Sequence, residues 1–143
     1  HALNEGTTIV DCPPGTSCPV IAAVKGSDYV LLVTEPTPFG LHDLKLAVET
    51  MRTLGLDFGI VVNRTTCPGH CVADYCRSER IPILLEIPDD RRAAVAYSRG
   101  RLIVEAVPEL REPFERLCCR ILDEVRGREK RLRAGAWSAE ATA

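Results

Sequence analysis

The sequence predicts an α/β domain of about four parallel strands with helices on both faces of the sheet. Four short runs of β-type residues, "TTIVD", "YVLLVT", "FGIVVN" and "ILLEI", punctuate the chain. Segments with apolar residues at helical spacing lie between them. The middle two runs are almost continuously apolar and rich in Val and Ile, as strands covered on both faces must be. Strand and helix in alternation give a parallel sheet with crossover helices, hence a three-layer sandwich.

Each element has its own signal. "SCPVIAAVKG" fits a short helix after the first run. In "LHDLKLAVETMRTLG", Leu41, Leu44, Val48, Met51 and Leu54 recur at three- and four-residue spacing, and Gly55 stops the helix. "CVADYCRSE" and "RRAAVAYSRG" fit two further short helices. In "EPFERLCCRILDEV", Phe114, Leu117, Cys118, Ile121, Leu122 and Val125 form another apolar stripe, which assigns Cys118 to the core. Residues 127–143 start with the basic run "GREKRLR" and then lose periodicity, the composition of a charged, disordered tail. Residues 1–126 form the globular part.

Composition narrows the function. With 143 residues, the chain is one domain or part of one, and 45% hydrophobic residues suffice for a core. A net charge of -2 gives no general attraction to nucleic acid or anionic membrane. No apolar run approaches the roughly 20 residues of a membrane span. The opening "HALNEGTTIV" has neither a basic start nor an apolar signal core, so the seven cysteines read as thiols in reducing, cytoplasmic surroundings.

The two ends of the strands differ. Entering them, the chain uses plain connectors: "GSD", "GLD" and "ERIP". Leaving them, it runs into "DCPPG", "TEPTPFG", "NRTTCPG" and "IPDDRR". Ligands of open α/β sheets sit outside the carboxyl ends of the strands, so these four loops mark the ligand face. Asp11 ends the first run. An acid there can hold Mg²⁺ through water or orient an attacking water, or it can simply cap the next helix. Pro13 and Pro14 then fix the backbone, and Gly15 frees it so that an N–H can approach a phosphate.

"IVDCPPGTSCPVIAAVKGSDYVLLVTEPTPFGLHDLKLAVE", followed by "GIVVNR", "IPILLEIPDDRR" and "AYSRG", resembles the second half of a MinD/ParA-type P-loop ATPase. The branch it resembles is the MinD-superfamily ATPases with an inserted ferredoxin domain, grouped with the cobyrinic acid a,c-diamide synthase-like nucleotide-binding domains. The resemblance implies a partial P-loop NTPase fold of the SIMIBI type, ATP and Mg²⁺ as ligands, and a homodimer when complete. It makes Asp11 the Mg²⁺-linked catalytic acid and Pro13, Pro14 and Gly15 the start of a switch segment. Asn63 and Arg64 would sit at the nucleotide base, with Pro88 and Asp89 closing the other side of the adenine. The family's K-G-G-x-G-K-T-like phosphate loop is not among these residues. That predicts a C-terminal half, inactive alone, whose loop and ferredoxin insert lie upstream, and an iron–sulfur or redox partner.

The thiols offer other chemistry. "CPGHCVADYC" gathers Cys67, His70, Cys71 and Cys76, but the spacing matches no common zinc site, and small core or loop thiols are the plainer assignment. Cys18 falls near a helix start, where a thiol is acidified, at an offset from Asp11 similar to that of the cluster ligand in the nitrogenase iron protein. His42 and Asp43 fit helix-start positions better than acid–base chemistry. Two other classes compete with the ATPase reading. A receiver- or flavodoxin-like signalling domain would also place an acid at Asp11 and a hydroxyl at Thr34, but it needs a lysine where Asn63 stands. A redox module would use Cys12 and Cys18.

Overall fold

In the computed structural model, three parallel strands lie between two helical layers. Residues 6–15, 17–67 and 69–140 are described, with backbone alone for 129–140. The elements run α1 (Cys18–Val24), β1 (Val30–Thr34), α2 (Pro38–Leu54), β2 (Phe58–Thr65), α3 (Cys71–Ser78), β3 (Ile83–Pro88), α4 (Arg91–Ser98), α5 (Ile103–Ala106) and α6 (Arg111–Glu140). A 3₁₀ turn, Pro108–Leu110, leads into α6.

The strand order is β1-β2-β3, with β2 central. β1 and β2 pair from Val30↔Phe58 to Thr34↔Val62 without interruption. β2 and β3 pair with two slips, between Ile60 and Val61 and between Val62 and Thr65. Alternation along β2 sorts the core. Ile60 and Val62 point to one face, where they meet Leu44 and Val48 of α2 and Val72 and Cys76 of α3. Val61 points to the other, against Leu84 of β3 and Leu117 of α6. The near-continuous apolar run that predicted a doubly covered strand is this central one.

Local signals set the helix ends. Thr37 caps α2 by accepting from the Gly40 N–H at 3.0 Å, and Gly55 closes it. His70 caps α3, its Nδ1 accepting from the Ala73 N–H at 3.1 Å. Asp90 caps α4, accepting from the Arg92 N–H at 2.7 Å. α1, α2 and β1 enclose a second cluster, Val20, Val24, Val30 and Met51.

Two expectations change. The run Thr7–Asp11 forms no strand: it has no ladder partner among the described residues, and Ile9 and Val10 are 75% and 58% exposed. Extended backbone becomes a strand only when a neighbour takes its N–H and C=O groups. Cys118 is exposed rather than core, because α6 turns Leu117 inward and carries Cys118 and Cys119 outward. α6 continues as backbone helix to Glu140. At its described end Arg128 donates to the Asp28 carbonyl at 3.0 Å and lies 3.7 Å from Asp57, which ties the helix to the amino ends of β1 and β2. Most of the basic run's side chains, and residues 141–143, lie outside the described residues.

Candidate functional site

The loops after the three strands meet at the carboxyl edge of the sheet. After β1 the chain folds back tightly. The Thr37 N–H donates to the Glu35 carbonyl at 2.8 Å, and the Thr34 hydroxyl donates to the Gly40 carbonyl at 3.0 Å. A Cβ on Gly40 would sit 2.3 Å from the Glu35 oxygen, so only glycine fits this turn. The turn leaves Phe39 85% exposed.

After β2 the ladder slips. Two residues of β2, Asn63 and Arg64, lie between Val62 and Thr65, while one of β3, Ile87, lies between Glu86 and Pro88. The extra residue makes a bulge, and a bulge re-aims side chains. Arg64 takes a φ of 58°, a left-handed backbone that is uncommon for a residue with a Cβ. Its N–H donates to Asn63 Oδ1 at 3.1 Å, which ties the Asn63 side chain across the bulge. The Asn63 NH2 makes no hydrogen bond among the described residues.

The Arg64 guanidinium spans all three strand ends. Nε donates to Asp89 Oδ1 at 3.3 Å, beyond β3, and Nη1 lies 3.5 Å from Glu35 Oε1, beyond β1. The Asp89 carboxylate, and then Glu35, push the Arg64 pKa further above its ordinary value. The β3 end is latched as well: the Asp89 N–H donates to the Thr65 carbonyl at 3.0 Å, and the Thr65 hydroxyl to the Ile87 carbonyl at 3.1 Å. Exposed ion pairs of this kind contribute little stability. What they fix is position.

The structure thus joins Asn63, Arg64 and Asp89, with Pro88 beside them at the end of β3. It adds Glu35 and Thr65, which sequence reading did not single out. The signal for Glu35 was available: parallel register sets Thr34 opposite Val62, so the acid one step on comes within reach of Arg64. Asp11, Pro13, Pro14 and Gly15 are not drawn into this group by any hydrogen bond or ion pair among the described residues. They precede α1 as irregular chain, with Asp11 exposed and Gly15 at a φ of 98°. Their anchor is Cys12, half-buried against the Val20, Val24, Val30 and Met51 cluster.

The thiols do not converge. Cys18, at the first position of α1, is exposed, as are Cys67 and Cys71. Cys76 is buried among core residues, and burial pushes its thiol pKa up to about 11, the opposite of an activated thiol. His70 is buried, with Nδ1 committed to its cap and Nε2 3.7 Å from Glu86 Oε1. Among the described residues no three His, Cys, Asp or Glu side chains are grouped to hold a metal. The iron–sulfur assignment for Cys18 therefore has no partner ligands here.

No family model matches the chain. Uncharacterized protein MJ0579 of Methanocaldococcus jannaschii is 37% identical over 97 residues, covering 68% of this chain and 33% of that protein. Uncharacterized protein MJ0578 of the same organism is 38% identical over 56 residues, covering 39% of this chain and 20% of that one. The chain thus spans a third or less of the curated relatives it matches. Among solved structures, the cell division ATPase MinD of Pyrococcus furiosus superposes with a TM-score of 0.59 at 22% identity, over 85% of this chain and 50% of that one. The MinD cell division protein of Aquifex aeolicus gives 0.61 at 19% identity, over 83% and 51%. No helix among the described residues is long and apolar enough to cross a membrane. The fold is α/β, three parallel strands between helical layers, similar to that of the MinD P-loop ATPases.

Proposed function

We propose that this chain is the C-terminal portion of a nucleotide-dependent switch protein that binds and hydrolyses ATP and works as a homodimer. The observation that carries the reading is the bulge at the end of β2. It sets Asn63 and Arg64 at the carboxyl edge of a MinD-like sheet, ties Asn63 Oδ1 to the Arg64 N–H, and holds the Arg64 guanidinium between Glu35 and Asp89. A base needs a rigid donor beside a flat wall. Asn63 supplies a free NH2 held by its own carbonyl oxygen, and Pro88 with Asp89 supplies the wall.

Asp11 is exposed, and in this reading it acts on the phosphate side. Its carboxylate makes no ion pair among the described residues, which suits a water-mediated contact to Mg²⁺, an ion that when bound would neutralise phosphate charge. Pro13 and Pro14 stiffen the link from Asp11 to α1, and Gly15 lets a backbone N–H face a γ-phosphate. The phosphate loop itself would come from upstream sequence. A ferredoxin-like or redox link would rest on ligands outside the described residues, since the thiols here are dispersed.

The test is made on the chain joined to its upstream coding sequence, with ATP turnover and the binding of a fluorescent ATP analogue measured side by side. Asp11→Ala abolishes turnover while binding persists. Asn63→Ala weakens binding about tenfold, the loss of one good hydrogen-bonded contact. Unchanged turnover in the first variant removes Asp11 from the mechanism, and unchanged binding in the second removes the base site.

A further inference from the structure

A second surface, built after the strand ends, has a different chemistry. Arg91, Val95 and Arg99 follow one another at four-residue steps, so they share one face of α4 and its C-terminal cap. Gly100, at a φ of 64°, reverses the chain, and Arg101 and Ala106 of the α5 segment form the facing wall. Between them lies an open cleft of about 490 Å³ with Ala96 in its floor, within the roughly 300–1,000 Å³ of ligand clefts.

The four arginines around it are not equivalent. Arg92 is a strut: it clamps Asp90 at 2.7 Å and reaches Glu109 at 3.1 Å, joining the α4 cap to the turn before α6. Arg101 is loosely paired with Glu105 at 3.8 Å. Arg91 and Arg99 make no hydrogen bond or ion pair among the described residues. The cleft therefore offers two guanidinium forks unpaired among the described residues, about two helical turns apart on α4 and its cap, over an apolar strip in which Val95 is 40% exposed. Guanidinium forks match carboxylates in bidentate geometry.

We propose that this cleft binds an acidic segment of a protein partner that carries apolar side chains between its carboxylates. The apolar strip has no use for a bare phosphate. A dense polyanion such as nucleic acid would likewise lay continuous phosphate charge along that strip and against Glu105. A peptide can set carboxylates on Arg91 and Arg99 and an apolar side chain on Val95 at once. This surface does not depend on the nucleotide reading.

The probe is a short labelled peptide of alternating Glu and Leu pairs, titrated against the full chain by fluorescence anisotropy. Binding is expected to weaken with salt and to fall about tenfold or more in the double variant Arg91→Glu/Arg99→Glu. Val95→Ser is expected to weaken it as well, without any change of charge. All three substitutions are on exposed side chains, and an unchanged urea midpoint confirms that each variant is folded. Absence of peptide binding, equal binding to the double variant, or indifference to Val95→Ser overturns the proposal. So does displacement of the peptide by tripolyphosphate or a single-stranded oligonucleotide at equal or lower concentration.

Discussion

The β2 terminus and the Asp11 segment both carry residues that the sequence marks for ligand chemistry, yet they are built in opposite ways. At the β2 terminus, ladder pairing on two sides places Arg64 to within a few ångströms of Glu35 and Asp89. At Asp11 the described residues form no ladder, and half-buried Cys12 is the one foothold that the packing among them gives. The same residue types are thus a fixed site in one place and an open arm in the other. Pairing decides, because a backbone with satisfied N–H and C=O groups has little freedom left to spend.

The largest test of this contrast compares Ile60 with Ile9. Ile60 is fully buried in β2, whereas Ile9 is 75% exposed. Ile60→Ala is expected to lower stability by about 2–5 kcal/mol, through lost burial and the cavity left behind. Ile9→Ala is expected to change it by less than about 0.5 kcal/mol. Urea midpoints read both. A loss of comparable size at Ile9 would show that the first run is packed in solution, and the comparison would fail.

Gly59 sharpens the β2 side. A Cβ there would sit 2.6 Å from both Leu84 Cδ1 and the Tyr29 hydroxyl, and 2.8 Å from Leu84 Cγ. Leu84 is itself buried, so it cannot simply swing away. Gly59→Ala is expected to destabilise by about 1–3 kcal/mol through overpacking, despite alanine being the less flexible residue in the unfolded chain. A neutral or stabilising result in thermal unfolding would mean that the sheet–α6 face is loosely packed.

Alkaline titration probes the same core chemically. Cys76 is pushed up by burial from 9.0 to about 11 in the folded chain. Below the unfolded value, both states hold the proton and its contribution is fully present. As pH rises through that window the unfolded thiol ionises first, so stability falls toward about pH 11. Tyr29, raised to about 12 by burial and then by Glu124, extends the loss upward. Cys76→Ala should flatten the lower part of that decline, and an unaltered pH profile would contradict the buried placement.

Much of this architecture was legible in advance. The apolar runs at β1, β2 and β3 and the spacing of Leu44, Val48 and Met51 gave the sheet and its helices, because periodicity reports directly on burial. The first run was misread as a strand because its composition is β-type, and composition cannot supply a partner. Cys118 was misplaced by about one helical step, since Leu117 takes the inward position on α6. Asn63 and Arg64 were found as an end-of-strand pair, but the bulge was not. A register slip depends on how two strands pair, which neither strand states alone. Glu35 was missed for the same reason.

Arg64 offers the smallest effect and the finest test of what the bulge does. At a φ of 58° an arginine carries a steric penalty of about 1–2 kcal/mol that glycine does not. Against that stand two exposed ion pairs, to Asp89 and Glu35, which solvent screening keeps weak. Arg64→Ala keeps the penalty and loses the pairs, so it should destabilise only slightly. Arg64→Gly loses the pairs but also the penalty, while glycine loosens the unfolded chain. Its net change should be near zero. The expected order in urea unfolding is therefore glycine above alanine, by about 0.5–1 kcal/mol. Alanine equal to or above glycine would mean that the left-handed turn is not kept in solution. Asn63 would then lose the backbone N–H that fixes its side chain, and the β2 terminus would be as open as the Asp11 arm.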